Sequence, residues 1–314
     1  MSNSAPKHIE VEIPRSIPDN TRIDAYIAEV LKLFSRAQVK RRVTELRVNG
    51  NTAKLSKHLL PGDRLEINYS EEPAMNLEAE EIQLRILYED RHVLVINKEQ
   101  GMVVHPAGGN WSGTLVNALL WHCKELRNSF TADQARPGIV HRLDKDTSGV
   151  IITAKDVQTR EFLSEQFRRR RVMKRYLAIV EGNLPAGRGR IDTWIARDPH
   201  HRKRFTCLLP DSKASAGRRS LTLYRELRRL DGFTVVSLRP RTGRTHQLRV
   251  HMAHLGCPIV GDRLYGWKPR GRGSWPLMLH AQRLRITLPG ERQPRTFVAP
   301  LPDRFDRFYS FSTR

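Results

Sequence analysis

Residues 138–150 read GIVHRLDKDTSGV, a polar loop between two short apolar runs, with the carboxylates Asp144 and Asp146 beside the cations Arg142 and Lys145. A carboxylate held next to a guanidinium stays ionised, which suits a nucleophile and spoils a general acid. Asp, Thr, Ser and Gly are also turn residues, and composition by itself favours a plain turn here.

A second segment, 239–255, reads RPRTGRTHQLRVHMAHL. Thr242-Gly243 breaks a preceding strand, and Thr245 is placed to cap a helix on which Arg249 lies one turn further on. His246, His251 and His254 invite a metal reading. Their spacing of five and three does not match a one-face HExxH pattern, and no carboxylate lies within the helix, so no metal site is assigned. Arg239, Arg241, Arg244 and Arg249 read instead as clamps for phosphate or carboxylate.

The third segment follows four arginines, 168–171, and reads KRYLAIVEG from Lys174 to Gly182. In a strand, Lys174, Tyr176 and Ala178 share one face while Leu177 and Ile179 take the other. A core face therefore exists without Tyr176, which leaves its ring available to stack on a base. The competing reading is an edge-strand tyrosine packed on a neighbour.

These segments need a scaffold to bring them together. Strand-like alternation covers Val93 to Asn97, Val150 to Ala154, Tyr176 to Val180, Leu221 to Leu227, Phe233 to Leu238 and Leu279 to Leu288. Helix-like stretches lie at Leu115 to His122, Val157 to Arg170 and Thr245 to His254. Strands outnumber helices without alternating regularly with them, which predicts an α+β fold with a largely antiparallel sheet.

Ahead of this region the pattern is smaller in scale. Residues 1–20 lack periodicity and read as a flexible lead or an added strand. Ile23, Tyr26, Ile27, Val30, Leu31 and Phe34 recur at helical spacing, and Ser35 with Gln38 suggests a capping box for a second helix carrying Arg36, Lys40, Arg41 and Arg42 and continuing its apolar stripe through Val39 and Val43. Leu46 and Val48 then alternate into the turn pair Asn49-Gly50, and Leu65, Ile67 and Tyr69 follow Pro61-Gly62-Asp63 as a closing strand. Residues 71–80 are acidic and read as a linker, which leaves 81–314 as a second domain.

The 314 residues carry 55 Lys plus Arg against 33 Asp plus Glu, a net charge of +22 that favours polyanionic partners. The three cysteines form no CxxC pair, which points to a reducing compartment. The longest apolar runs fall far short of the ~20 residues that span a bilayer. With no signal-peptide layout after Met1, a soluble cytoplasmic protein is expected.

Taken together, HRLDKDTSG at 141–149, KRYLAIVEG at 174–182 and RTGRTHQLRVHMAHLG at 241–256 resemble the RluA-type family of pseudouridine synthases. Asn97-Lys98, Gly101 and Val104-His105-Pro106 look like that family's first motif, and Gly261-Asp262, Leu264-Tyr265-Gly266 and Leu279-His280-Ala281 look like its closing ones. The resemblance covers about residues 85–300. Glu99-Gln100 and Cys257 depart from it at positions expected to carry no chemistry. Residues 21–70 resemble the small alpha-L RNA-binding module, with Thr44-Glu45 where that module often has glycine.

The resemblance implies isomerisation of uridine in RNA, preferably large-subunit ribosomal RNA with transfer RNA as the alternative; no cofactor or metal follows and no protein partner is implied, and the competing reading is a non-catalytic RNA-binding protein of ribosome assembly. It implies Asp144 as the catalytic carboxylate, Arg249 as its pairing arginine, and Tyr176 as the residue that stacks on the base. Arg142 looks like the residue that fills the gap left by a flipped uridine. Arg244, Arg36, Lys40, Arg41 and Arg42 are the expected RNA contacts.

Overall fold

A computed structural model describes residues 7–34, 36–70, 77–106, 110–129, 136–201, 203–208, 217–266 and 275–309. The chain divides into two units, Met1–Asn76 and Leu77–Arg314.

In the first unit, β1 (Lys7–Glu12) precedes a short α1 (Ile23–Ala25) that continues into a π-helical turn, Tyr26–Val30. Then come α2 (Arg36–Arg42), β2 (Val43–Val48), β3 (Asn51–Thr52) and β4 (Arg64–Tyr69), with the strands ordered β1-β4-β2-β3 in one antiparallel sheet. Asn49 and Gly50 both take positive φ, 52° and 75°, as the tight hairpin turn requires. The Asn49 side chain also donates to Asp63 at 2.8 Å and accepts the Arg64 N–H at 2.8 Å, tying that turn to the Pro61-Gly62-Asp63 loop.

Several details differ from the sequence reading. Of the two readings of the N-terminal residues, 7–12 take the added strand and not the lead: they pair with β4 from Lys7↔Tyr69 to Glu12↔Arg64, and Ile9 and Val11 pack on the core. The first helix stops early, because Lys32 turns left-handed, so Phe34 reaches the core from outside the helix and Val30 is 53% exposed. Val43 begins β2 rather than extending the helical stripe. Thr44-Glu45 sit at a β-bulge against β4, which absorbs the extra residue without glycine. The proposed Ser35 cap lies outside the described residues.

The second unit contains β5 (Ile86–Glu89), β6 (Val93–Lys98), α3 (Leu115–His122), α4 (Lys124–Ser129), β7 (Ser148–Ala154), α5 (Val157–Arg168) and β8 (Met173–Glu181). It continues through β9 (Arg188–Arg197), β10 (Phe205–Leu208), β11 (Arg218–Leu230), β12 (Phe233–Pro240), α6 (Gln247–His254), β13 (Leu279–Ile286), β14 (Arg295–Val298) and α7 (Asp306–Tyr309). The sheet runs β10-β9-β11-β12-β8-β13-β7-β6-β5, with β14 added to β13. Its one parallel pairing among the described residues joins β13 to β7; the rest is antiparallel, so the fold is α+β.

That parallel contact is tight. Gly149 has φ 117°, and a Cβ there would collide with the Ala281 carbonyl, so only glycine lets β7 approach β13 as the Asp144 loop enters the sheet. Helix α3 starts at the Thr114 cap and α5 at Asp156, whose carboxylate accepts the Thr159 N–H at 2.7 Å. Helix α5 ends at Arg168, two residues short of the expected stretch, and Arg170 turns left-handed beyond it. Residues 77–80 belong to this unit rather than to a linker: the Glu78 carbonyl accepts from Asn117 at 2.8 Å and Glu80 accepts the Gly113 N–H at 2.9 Å.

Candidate active site

Strand β8 lies between β12 and β13, so Tyr176 is on a central strand and the edge-strand reading does not apply. Leu177 through Val180 are buried on both faces and fix the strand. Tyr176, Asp144 from the loop before β7, and Arg249 from α6 line one cavity of about 480 Å³. Three segments remote in sequence thus meet at one place.

The Asp144 loop is held from beneath. Its own turn closes with Thr147 N–H donating to the Asp144 carbonyl at 3.0 Å. The Lys98 ammonium, 1% exposed, donates to the carbonyls of Glu99 at 2.7 Å, Met102 at 2.9 Å and Lys145 at 3.1 Å. Burial pushes the Lys98 amine down to about 7, against the opposing pull of Asp146 and Asp144. The Gln100 amide donates to the Asp146 carbonyl at 2.8 Å and to the Leu277 carbonyl at 3.0 Å, joining the loop to the entry of β13. Gln100, where the sequence departs from the family it resembles, therefore has a structural task that its position in the motif did not suggest.

Arg249 is buried and has two carboxylates in reach. Its Nε and one terminal nitrogen donate to Asp262 at 2.7 Å each, and the other terminal nitrogen stands 3.9 Å from Asp144 Oδ2. The expected pairing with Asp144 is present, but the shorter, two-pronged contact is to Asp262. Burial pulls the guanidinium down, yet the bonds to Asp262 and the charge of Asp144 outweigh it and the net shift is upward. The Tyr265 ring lies 5.2 Å from the guanidinium carbon. Burial, with the Asp144 charge, pushes the Tyr176 phenol above its ordinary value, so this hydroxyl keeps its proton at neutral pH.

The start of α6 differs in its cap. Thr245 does not cap it; His246 stands at that position with left-handed φ 56° and ψ 14° and makes no side-chain cap bond. The first helical residue, Gln247, ties the preceding loop to β11, accepting from the Arg244 N–H at 3.0 Å and the Thr242 hydroxyl at 2.7 Å, and donating to Leu221 O at 3.1 Å and Thr222 Oγ1 at 2.9 Å. The three histidines do not converge: His251 is buried between threonines on β9 and β11, His254 is exposed, and His246 faces the cavity.

Cations surround the opening. Arg142 is exposed there, and Arg168, Arg170, Arg241 and Arg244 also line it. Arg244 is half-buried, and burial together with Arg218 and Arg170 pushes its guanidinium down. In the first unit, Arg36 pairs with Asp24 at 3.3 Å and the Arg42 guanidinium covers the Phe34 ring at 4.9 Å, so both have partners within their own unit. Lys40 is exposed, and the Arg41 side chain lies outside the described residues.

Residues 92–254 match the family described as RNA pseudouridylate synthase. The chain belongs to that family. The synthase is 41% identical over 96% of its length to ribosomal large subunit pseudouridine synthase D of Borreliella burgdorferi, covering 93% of that protein. It is 38% identical to the protein of the same name from Xanthomonas campestris pv. campestris, covering 99% of this chain and 96% of the relative. Among solved structures it resembles human RNA pseudouridylate synthase domain containing 1, with TM-score 0.57 and 30% identity over 74% of this chain and 87% of that one.

Four residues of the site carry no chemical assignment in the sequence: Asp262, Tyr265, Lys98 and Gln100. Asp262 and Tyr265 stand in motifs, but nothing local shows that they face Arg249 from thirteen and sixteen residues away. Lys98 is a lone lysine at the end of an apolar strand, and a lysine continuing such a strand inward is the signal that could have singled it out.

Proposed function

We propose that this protein isomerises uridine to pseudouridine in large-subunit ribosomal RNA, in the cytoplasm, with Asp144 as the catalytic carboxylate. The observation that carries the reading is the joint placement of Asp144, Tyr176 and Arg249 in one cation-rimmed cavity of a chain of this family. Binding rests chiefly on phosphate contacts from the arginines, and a target base inside a paired or stacked strand must leave its stack to reach the cavity. Arg142, exposed at the rim, is placed to occupy the gap that the base leaves.

The reaction breaks the bond between N1 of uracil and C1′ of ribose, turns the base and rejoins it through C5; C5 gives up its proton to solvent and the freed N1 takes one up, so product and substrate are isomers. Asp144 acts as a nucleophile toward either the ribose or the base. Arg249, clamped by Asp262, holds the cationic side of the cavity against the carboxylate. Tyr176 supplies an aromatic face for stacking, and its retained proton makes it a hydrogen-bond donor in the resting enzyme. Arg244, Arg36, Lys40, Arg41 and Arg42 are assigned to RNA contact, and residues 21–70 to an alpha-L type module that adds affinity; Arg36 and Arg42 also have partners within their own unit.

Mapping pseudouridine in total RNA from cells with and without the gene tests this directly. One or more large-subunit positions should revert to uridine on deletion and return with the wild-type gene but not with Asp144→Asn. Purified Asp144→Asn should bind RNA within a few-fold of wild type while forming no product. Retained turnover in that variant, or loss confined to transfer RNA, overturns the assignment.

A further inference from the structure

The fold treats two histidines of the α6 segment differently. His251 is fully buried with both ring nitrogens satisfied, Nδ1 by the Thr222 hydroxyl at 2.9 Å and Nε2 by the Thr193 hydroxyl at 3.1 Å. His246 has only one nitrogen held. Its Nδ1 lies 2.9 Å from the Tyr265 hydroxyl, which itself accepts the Phe205 N–H at 2.9 Å. In the arrangement that pairs every proton, the phenol donates its one hydrogen to Nδ1, and the imidazole keeps its own on Nε2. Among the described residues nothing meets that Nε2–H, and the ring lines the same cavity as Asp144.

Three further observations show that the ring is placed rather than merely packed. His246 takes φ 56°, in the left-handed region that side chains seldom occupy and that clusters at functional sites. Phe205 and Tyr265 meet it edge-to-face at centroid distances of 5.6 and 5.7 Å, which fixes its plane. Burial, assisted by Arg249 and Arg142, outweighs the pull of Asp144 and keeps the ring neutral at neutral pH. A neutral ring with Nδ1 filled offers one donor and no acceptor.

We propose that His246 is a substrate-contacting residue whose Nε2–H donates a hydrogen bond to an acceptor oxygen of the flipped-out uridine, with Tyr265 selecting the tautomer. This rests on the reading that a uridine enters the cavity. The acceptor is either a base carbonyl or the ribose 2′-hydroxyl, which share the same recognition chemistry.

The test uses full-length protein and a short RNA built around the uridine that the mapping identifies, with kcat and KM measured separately. His246→Ala should lower kcat about tenfold, the loss of one well-placed donor, with KM within about threefold because phosphate contacts hold the RNA. His246→Gln, whose amide nitrogen reaches the place of Nε2, should recover most of that loss. Tyr265→Phe keeps the ring beside Arg249 and removes the proton to Nδ1 together with the acceptor of the Phe205 N–H, and should lower kcat about threefold or more. Replacing the target with 2′-deoxyuridine, 2-thiouridine or 4-thiouridine then identifies the oxygen: the change that slows wild type but adds nothing to the Ala variant marks the acceptor.

Wild-type kcat in His246→Ala, equal losses in Ala and Gln, or additive losses with all three modified RNAs overturns the proposal. Should the Ala variant fail to fold, an unchanged kcat in Tyr265→Phe overturns it. Absence of product from the wild-type protein overturns the synthase reading instead.

Discussion

Arg249 is gripped by Asp262 through two 2.7 Å hydrogen bonds, and this leaves its remaining terminal nitrogen directed at Asp144, 3.9 Å away. Asp262 is completely buried and also accepts the backbone N–H groups of Leu264 and Tyr265 at 2.9 and 3.0 Å. Gly261, before it, has φ 77° and no room for a Cβ against the Pro276 carbonyl, so the turn that presents this carboxylate is rigid.

Asp262→Ala should therefore damage both stability and turnover. Removing one partner of a buried, hydrogen-bonded ion pair costs about 3–5 kcal/mol, because the other charge is left uncompensated. Denaturant unfolding should show that loss. Asp262→Asn keeps the turn but weakens the clamp, and we expect its kcat to fall about a hundredfold at near-normal RNA affinity. Wild-type kcat in Asp262→Asn would mean that Arg249 needs no second carboxylate to be positioned.

Tyr176→Phe separates the ring from the hydroxyl. Stacking is worth about 1–3 kcal/mol per base and needs only the ring, so RNA binding should stay normal in the Phe variant. Turnover should fall strongly, because the protonated phenol is lost as a hydrogen-bonding group beside Asp144. Single-turnover kinetics on wild type, Phe and Ala forms separates these roles: a Phe variant as fast as wild type reduces Tyr176 to a stacking platform.

Acid should unfold the catalytic unit steeply. Burial pushes His105, His251 and His280 down to about 4 and His141 down to about 3, so all four are neutral in the folded state at pH 5. In the unfolded chain they protonate near pH 6.5. Their folded values are depressed, so the stability they confer is complete above pH 6.5 and is lost as pH falls toward 4. With four protons taken up on unfolding, the slope approaches about 5 kcal/mol per pH unit near pH 5. Urea titrations across pH 4–7 measure it, and His251→Gln should flatten the slope by about a quarter.

A fragment beginning at Leu77 should fold and still isomerise uridine in a short RNA, because the units have separate cores. It should bind the full substrate more weakly, with a shallower dependence of log K on log salt. The change in slope should be small, about 0.9 for each phosphate that the fragment no longer neutralises, because Arg36 and Arg42 already have internal partners. An unchanged slope would place the cations of the first unit in water; an insoluble fragment would show that the units depend on one another.

Much of this protein is set by local sequence. The alternation at 93–97, 150–154 and 233–238 suffices to predict β6, β7 and β12 because those strands are buried and apolar throughout most of their length. Asn49-Gly50 specifies its turn through the positive φ that those two residues tolerate. Strands β9 and β10 are not legible in the same way: polar and charged residues interrupt β9, and β10 is only four residues long. Residues 7–12 resemble a lead in isolation, since a strand that alternates charged and apolar residues gains stability only from the neighbour it pairs with.

At the site, Asp144, Tyr176 and Arg249 are singled out by the family-like motifs in which they stand, whereas the local pattern alone also allows a plain turn at Asp144 and a packed strand residue at Tyr176. Which carboxylate grips Arg249 is not legible. Asp262 reaches it only because the turn after Gly261 is packed under Pro276, a contact that no spacing rule encodes. The same holds for Lys98 and Gln100, whose donors are spent on carbonyls 47, 46 and 177 residues away in sequence. Residue types determine which groups can ionise, stack or donate, but burial decides which form each group keeps, and burial is a property of the assembled sheet.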